Sequence, residues 1–194
     1  MKKVICTLLA LALALCAPAL AGNEATLVLD KVGVTLRFPE AYQNATGLVG
    51  ETTSSELGSG SGIWYTSMVY LAMNEDEVRA FEAKADSLTD EDYEALSNAM
   101  LPLFDILSID GNRDFDALNA YVGGVLDAQY AKEIGKADDI TFYSYIAPVE
   151  EVPQNALADE YAELRALAGD VLEGSDYYKP VEPYAALAGA ALAF

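Results

Sequence analysis

The 194-residue chain contains no histidine, and its only two cysteines, Cys6 and Cys16, lie within the first 21 residues. Cations are scarce as well: 11 Lys and Arg stand against 31 Asp and Glu, a formal net charge of −20. Each shortage removes a class of chemistry. A Ser-His-Asp triad or a Cys-His pair needs an imidazole. Structural zinc and iron–sulfur sites need thiolate or imidazole. A redox C-x-x-C pair is absent, and no disulfide can staple the chain beyond residue 21. The acidic balance argues against nucleic acid and against an anionic membrane surface as partners.

The cysteines sit in a segment that reads as a removable leader. Lys2 and Lys3 supply a positive start, residues 4–16 are apolar, and Ala17-Pro18-Ala19-Leu20-Ala21 offers an A-x-A cleavage site. Residues 1–21 are therefore expected to be a signal peptide. Their removal takes two lysines and leaves 173 residues with a net charge of −22, from nine cations and 31 acids. The apolar run is too short and wrongly flanked for a spanning helix. Leu13-Ala14-Leu15-Cys16 approaches a lipoprotein box, but Leu15 stands where a small residue is wanted, so a lipid anchor at Cys16 is not expected. The apolar end, residues 184–194, is also too short to span. An exported, cysteine-free chain of this size suits a bacterial domain whose core needs no staples. Asn44-Ala45-Thr46 matches a glycosylation sequon, read as chance in that setting.

Along the chain, residues 26–30 (TLVLD) and 34–38 (VTLRF) alternate and predict a β-hairpin. Residues 44–62, rich in Gly, Ser and Thr, read as a loop. Residues 63–73 (IWYTSMVYLAM) read as a central strand with two apolar faces, Ile63, Tyr65, Val69 and Leu71 on one and Trp64, Met68 and Tyr70 on the other. Asn74 with Glu77, and Thr89 with Asp92, announce two helix starts. Val78, Phe81 and Ala85 form the first helix's stripe, and Pro102 is expected just past the second helix. Residues 104–109 (FDILSI) predict a short strand, followed by a turn at Asp110-Gly111-Asn112 and a helix through Val125 with Gly123-Gly124 in its middle. Residues 131–136 and 140–146 predict a second hairpin. Residues 155–173 predict one helix with Leu157, Tyr161, Leu164, Ala168 and Val171 inward and Gly174 as its left-handed cap.

The sum is an α+β domain: an antiparallel sheet of about five strands packed with about four helices, in the manner of an α/β/α sandwich. Residues 22–178 are expected to form this single domain and residues 179–194 a tail or linker. The opening strand, turn and VTLRFPEAY segment resembles the start of exported PsbP/Mog1-like domains, in which a hairpin ends at a proline before a loop.

Candidate sites are few. Asp110, Asn112, Asp114 and Asp116 alternate like the first half of an EF-hand loop. Phe115 replaces the required Gly and Tyr121 the required Glu, so the expected reading is a turn followed by acids at a helix start. Paired carboxylates can hydrolyse glycosides without His or Cys. Glu75-Asp76-Glu77 and Asp90-Glu91-Asp92 are explained by helix starts, Glu150-Glu151 lies in a loop, and none of these runs is embedded in an apolar segment. Among the aromatics, Trp64, Tyr65, Tyr143 and Tyr145 are the candidate binding residues, for a glycan or peptide platform; the competing reading packs them in the core. No catalytic residue, metal ligand or cofactor is expected.

The end of the chain is apolar, where soluble chains usually end in polar residues. Leu187-x-Gly189-x-x-Leu192-x-Phe194 resembles the lead-in to a TlpA-like redoxin (thiol–disulfide reductase) domain. The preceding Ile134-Gly-Lys136, Ile140-Thr-Phe-Tyr143 and Tyr177-Tyr-Lys-Pro-Val-Glu-Pro-Tyr184 resemble the N-terminal accessory region of exported bacterial proteins with such a domain. The resemblance implies an accessory module that lacks the redoxin domain and its C-x-x-C cysteines, so no catalytic residue carries over. The expected function is an exported, non-catalytic binding or accessory module beside a thiol–disulfide redox system, with an unknown protein or small ligand as partner. A carboxylate-based glycan hydrolase and a stand-alone ligand- or protein-binding domain are the alternatives.

Overall fold

The structure, a computed structural model, describes residues 25–84, 87–111, 113–149, 152 and 157–181. The leader with both cysteines, the C-terminal segment from residue 182, Ala85, Asn112, Glu150, Glu151 and Asn155 lie outside the described residues. The fold is α+β, with two antiparallel sheets rather than one.

The first hairpin joins β1 (Ala25–Leu29) to β2 (Val34–Phe38) in the register Leu27↔Leu36. Its turn closes when the Val32 and Gly33 amides donate to the Leu29 carbonyl. The other edge of β2 receives β8 (Asp176–Tyr177), with Val34 opposite Tyr177. This three-stranded sheet thus unites the two ends of the described chain. Beyond β8, Pro180 is buried and the Val181 amide donates to the Asp30 carbonyl.

The larger sheet has the order β3-β4-β5-β7-β6, with every neighbouring pair antiparallel. Its strands are β3 (Leu48–Glu56), β4 (Ile63–Leu71), β5 (Met100–Ile109), β6 (Ala131–Ala137) and β7 (Ile140–Tyr145). β3 corrects the expected loop over residues 44–62. It is an edge strand of small polar residues, held by pairing with β4 and irregular between Glu51 and Ser54. β5 is longer than expected and contains Pro102. The register slips there, between Met68 and Val69 of β4, which is where a residue without an N–H is tolerated. The hairpin between β6 and β7 turns through Asp138 at φ +52°, a left-handed conformation that Asp tolerates.

Six α-helices are described: α1 (Glu40–Gln43), α2 (Glu75–Ala83), α3 (Asp90–Ala99), α4 (Phe115–Tyr121), α5 (Ala158–Ala166) and α6 (Ala168–Glu173). Both expected capping boxes form: Asn74 with Glu77 on α2, and Thr89 with Asp92 on α3. α4 ends before Gly123-Gly124 instead of running through them. Both glycines have positive φ, +85° and +74°, and Asn119 closes the end by bonding Leu126 at both its amide and its carbonyl. Val125 is accordingly 74% exposed. The expected single helix to Glu173 is broken at Leu167 into α5 and α6, although Tyr161, Leu164, Ala168 and Val171 still share a buried side. Gly174 has φ −84° and is not a left-handed cap.

The main core fills the space between the two sheets and α5–α6. Leu36, Met68, Tyr70, Phe104, Ile106, Phe142 and Leu164 are buried there. Among the described residues, the opposite face of the larger sheet is covered at its two ends. α4 contributes Leu118 over Ile63, Leu107 and Ile109, while α2 and α3 contribute Val78, Phe81 and Leu96 over Leu71 and Met73.

Candidate functional site

Strand alternation sends Asp105, Leu107 and Ile109 to that second face and Ile106 and Ser108 to the core. The cross-strand registers then set two rows side by side. Ser67, Asp105 and Tyr145 are direct neighbours across β4, β5 and β7; Tyr65, Leu107 and Tyr143 are the next row. The result is an acid on the floor of the sheet, between two covered ends.

Asp105 is partly buried, and Tyr65 donates to its Oδ1 at 3.2 Å. Burial pushes the Asp105 carboxyl above its usual range, while Ser67, Tyr65 and the Arg165 guanidinium pull against that rise. Tyr65 is pushed up to about 12, by burial first and by the Asp105 charge second. Tyr145 is fixed from the other side. Its hydroxyl accepts from the Asp127 amide at 3.3 Å, and its ring meets Tyr130 edge-on at 6.3 Å between centroids. Tyr143 is only 8% exposed and packs against Phe115 at 5.5 Å. Burial raises its phenol first, and Glu133, Asp114 and Asp116 add to the rise.

The four aromatic candidates therefore divide. Tyr65 and Tyr145 are partly exposed around Asp105, Tyr143 is buried behind them, and Trp64 lies on the opposite face against the main core. Asp105 escaped the sequence reading, although an acid inside the apolar FDILSI segment was its signal.

Two acids of the EF-hand-like run have local employment. Asp110 is paired with Arg113, whose guanidinium also reaches the Ser61 and Gly62 carbonyls, and Asp114 caps α4 by accepting from the Ala117 amide at 3.0 Å. Among the described residues no three Asp, Glu, His or Cys side chains converge to hold a metal ion. Among them, too, no helix is long and apolar enough to cross a membrane.

A second built cluster lies on the core side. Glu160 of α5 accepts from the Tyr70 hydroxyl at 2.6 Å and from the amides of Thr46 and Gly47 at 2.8 and 3.0 Å. Burial by itself raises this carboxyl, but the Tyr70, Thr46 and Gly47 donors outweigh it and hold Glu160 below its ordinary range. These donors fasten the segment before β3 to α5, which is a structural task. Arg165, one turn further on, donates to the Pro102, Leu103 and Ala147 carbonyls and to the Tyr161 hydroxyl. It satisfies backbone at the end of β5 that β7 does not reach.

No protein-family model, curated protein or solved structure matches the chain.

Proposed function

We propose that this protein is an exported bacterial binding or accessory module with no catalysis of its own, and that it holds its ligand on the second face of the larger sheet. The observation that carries the reading is the placement of Asp105. A partly buried acid, bonded to Tyr65 and beside Tyr145, sits on sheet surface that α4 covers from one end and α2–α3 from the other. Aromatic side chains around one oriented polar group are a usual composition of a ligand site. Two-carboxylate hydrolysis needs a second acid beside the first. Among the described residues the groups that shift Asp105 are Ser67, Tyr65 and Arg165, with no second acid among them. Export rests on the leader in residues 1–21. Association with a thiol–disulfide reductase rests on the resemblance of the C-terminal region to redoxin accessory segments.

The test is a titration of the ¹⁵N-labelled protein with oligosaccharides, peptides, small amines and a TlpA-like redoxin domain, with chromatography of each compound afterwards. The expected result is that one class perturbs the amides around Tyr65, Asp105 and Tyr145, loses its effect in Tyr145→Ala, and is recovered unchanged. An oligosaccharide recovered cleaved overturns the reading in favour of the hydrolase. A panel in which no class perturbs this face overturns the site.

A further inference from the structure

The chemistry around Asp105 selects one sign of charge. The floor of the face carries a carboxyl group, and its flanking walls are Tyr65 and Tyr145. Further acids stand near the neighbouring row: Glu133 is directly opposite Tyr143 across β6 and β7, and Asp114 and Asp116 also raise its phenol. The cation that acts on Asp105, Arg165, is committed elsewhere: it belongs to α5, and its guanidinium is bonded to three backbone carbonyls and the Tyr161 hydroxyl. Phenol rings are negative on their faces, so a cation between them gains attraction from the rings as well as from the carboxylate. Strands stand 4.7–4.9 Å apart, so β4 and β7, separated by β5, lie about 10 Å apart, and Tyr65 is staggered by one row from Tyr145, with Asp105 reached by both. An anionic ligand would meet repulsion from every acid named, and a neutral sugar would gain only hydrogen bonds where a cation also gains the attraction of the Asp105 charge.

We propose that the Tyr65–Asp105–Tyr145 face binds the alkylammonium head of a small organic amine. Asp105 would provide the counter-charge, Tyr65 would orient that carboxylate through its hydroxyl, and Tyr145, held by the Asp127 amide and Tyr130, would form the fixed wall. The inference rests on this face being the binding site.

The experiment is isothermal titration calorimetry of the full chain with choline and with n-butylammonium, at low ionic strength. The control is 3,3-dimethylbutan-1-ol, which has the shape of choline without its charge. The expected result is saturable binding of at least one cation, about tenfold or more weaker binding of the neutral analogue, and loss of about tenfold in affinity in Asp105→Asn and in Tyr145→Leu. Asp105→Asn removes one of 31 acids, so diffuse attraction to an acidic surface would survive it, whereas a specific site would not. The Asn side chain keeps an acceptor for Tyr65, and amide spectra of the variant establish that it is folded. Equal binding of the neutral analogue, or cation binding unchanged in folded Asp105→Asn, overturns the proposal. If neither cation binds while another ligand class still perturbs Tyr65 and Tyr145, the ammonium inference falls and the binding face stands. If nothing binds this face, both fall.

Discussion

The Tyr70 hydroxyl donates to the Glu160 carboxylate at 2.6 Å, joining the C-terminal end of β4 to α5 across 90 positions of sequence. The same carboxylate takes the Thr46 and Gly47 amides, so a single ionised group fastens a strand, a helix and the entry to β3. Charge-assisted bonds of this kind are the stronger ones. Glu160 is held below its ordinary value of 4.5. The stabilisation is therefore complete at pH above that ordinary value and disappears as pH falls through the folded one. Glu160→Gln should lower the melting temperature at pH 7, by roughly 1–2 kcal/mol of stability. The difference from the parent should shrink steadily below pH 4.5. Thermal melts from pH 7 to pH 3 check this, and a gap that stays constant would mean that charge plays no part.

Asp105 has the opposite sign. Its carboxyl is pushed up by burial from an ordinary 3.8, against the pull of Ser67, Tyr65 and Arg165. The folded state prefers the protonated acid, so this group favours folding fully below its ordinary value and opposes it once pH has passed the folded one. Asp105→Asn, neutral at every pH, should raise the melting temperature by a few degrees at pH 7 and change it little at pH 3.5. A residue that weakens its own fold at neutral pH is characteristic of a functional site. Differential scanning calorimetry at the two pH values decides the point; equal or lower stability of the variant at pH 7 would remove the argument.

What was legible in the sequence was whatever local rules decide. Asn74 with Glu77, and Thr89 with Asp92, are contacts three residues apart, and both form as their spacing implies. Alternation correctly put Tyr143 and Tyr145 on one face and Phe142 on the other, because period two is a property of the strand itself. β3 was not legible, since its polar residues become a strand only by pairing with β4. β8 is two residues long and exists through β2. The environment of Asp105 is made by Ser67 and Tyr145 from two other strands. Glu160 finds its amide partners 114 and 113 residues away. In each case the missing information was tertiary.

Gly33 links the two ends of the described chain, and its requirement is backbone geometry. Its φ is +83°, and a Cβ placed there would stand 2.0 Å from the Tyr178 carbonyl oxygen. The Tyr178 amide meanwhile donates to the Gly33 carbonyl at 2.8 Å. Gly33→Ala should therefore combine left-handed strain with a backbone clash, at a cost of about 2 kcal/mol or more. It should also free β8 selectively. Amide exchange at Tyr177 and Tyr178 is expected to accelerate before exchange in β4 and β5 does. Uniform acceleration across both sheets would show that β8 is not a separate unit.

Arg165 stands where β7 stops short of the first half of β5. Its planar fork reaches the Pro102 and Leu103 carbonyls on one strand and Ala147 on the segment after β7, and it also takes up the Tyr161 hydroxyl. A methionine would keep the stem's packing but leave these acceptors with one donor fewer each, a loss of roughly 2–3 kcal/mol. A lysine carries the charge without the fork and should recover only part of that loss. Arg165 also lowers the Asp105 carboxyl, so the two sites are coupled. In Arg165→Met the Asp105 carboxyl should move further up, because a favourable charge has gone. The destabilisation by Arg165→Met should accordingly be smaller in an Asp105→Asn background than in the parent at pH 7, and equal in the two backgrounds at pH 3.5. Melting curves for the double-mutant cycle at both pH values check this. Strict additivity at pH 7 would confine Arg165 to its backbone contacts and separate it from the Asp105 face.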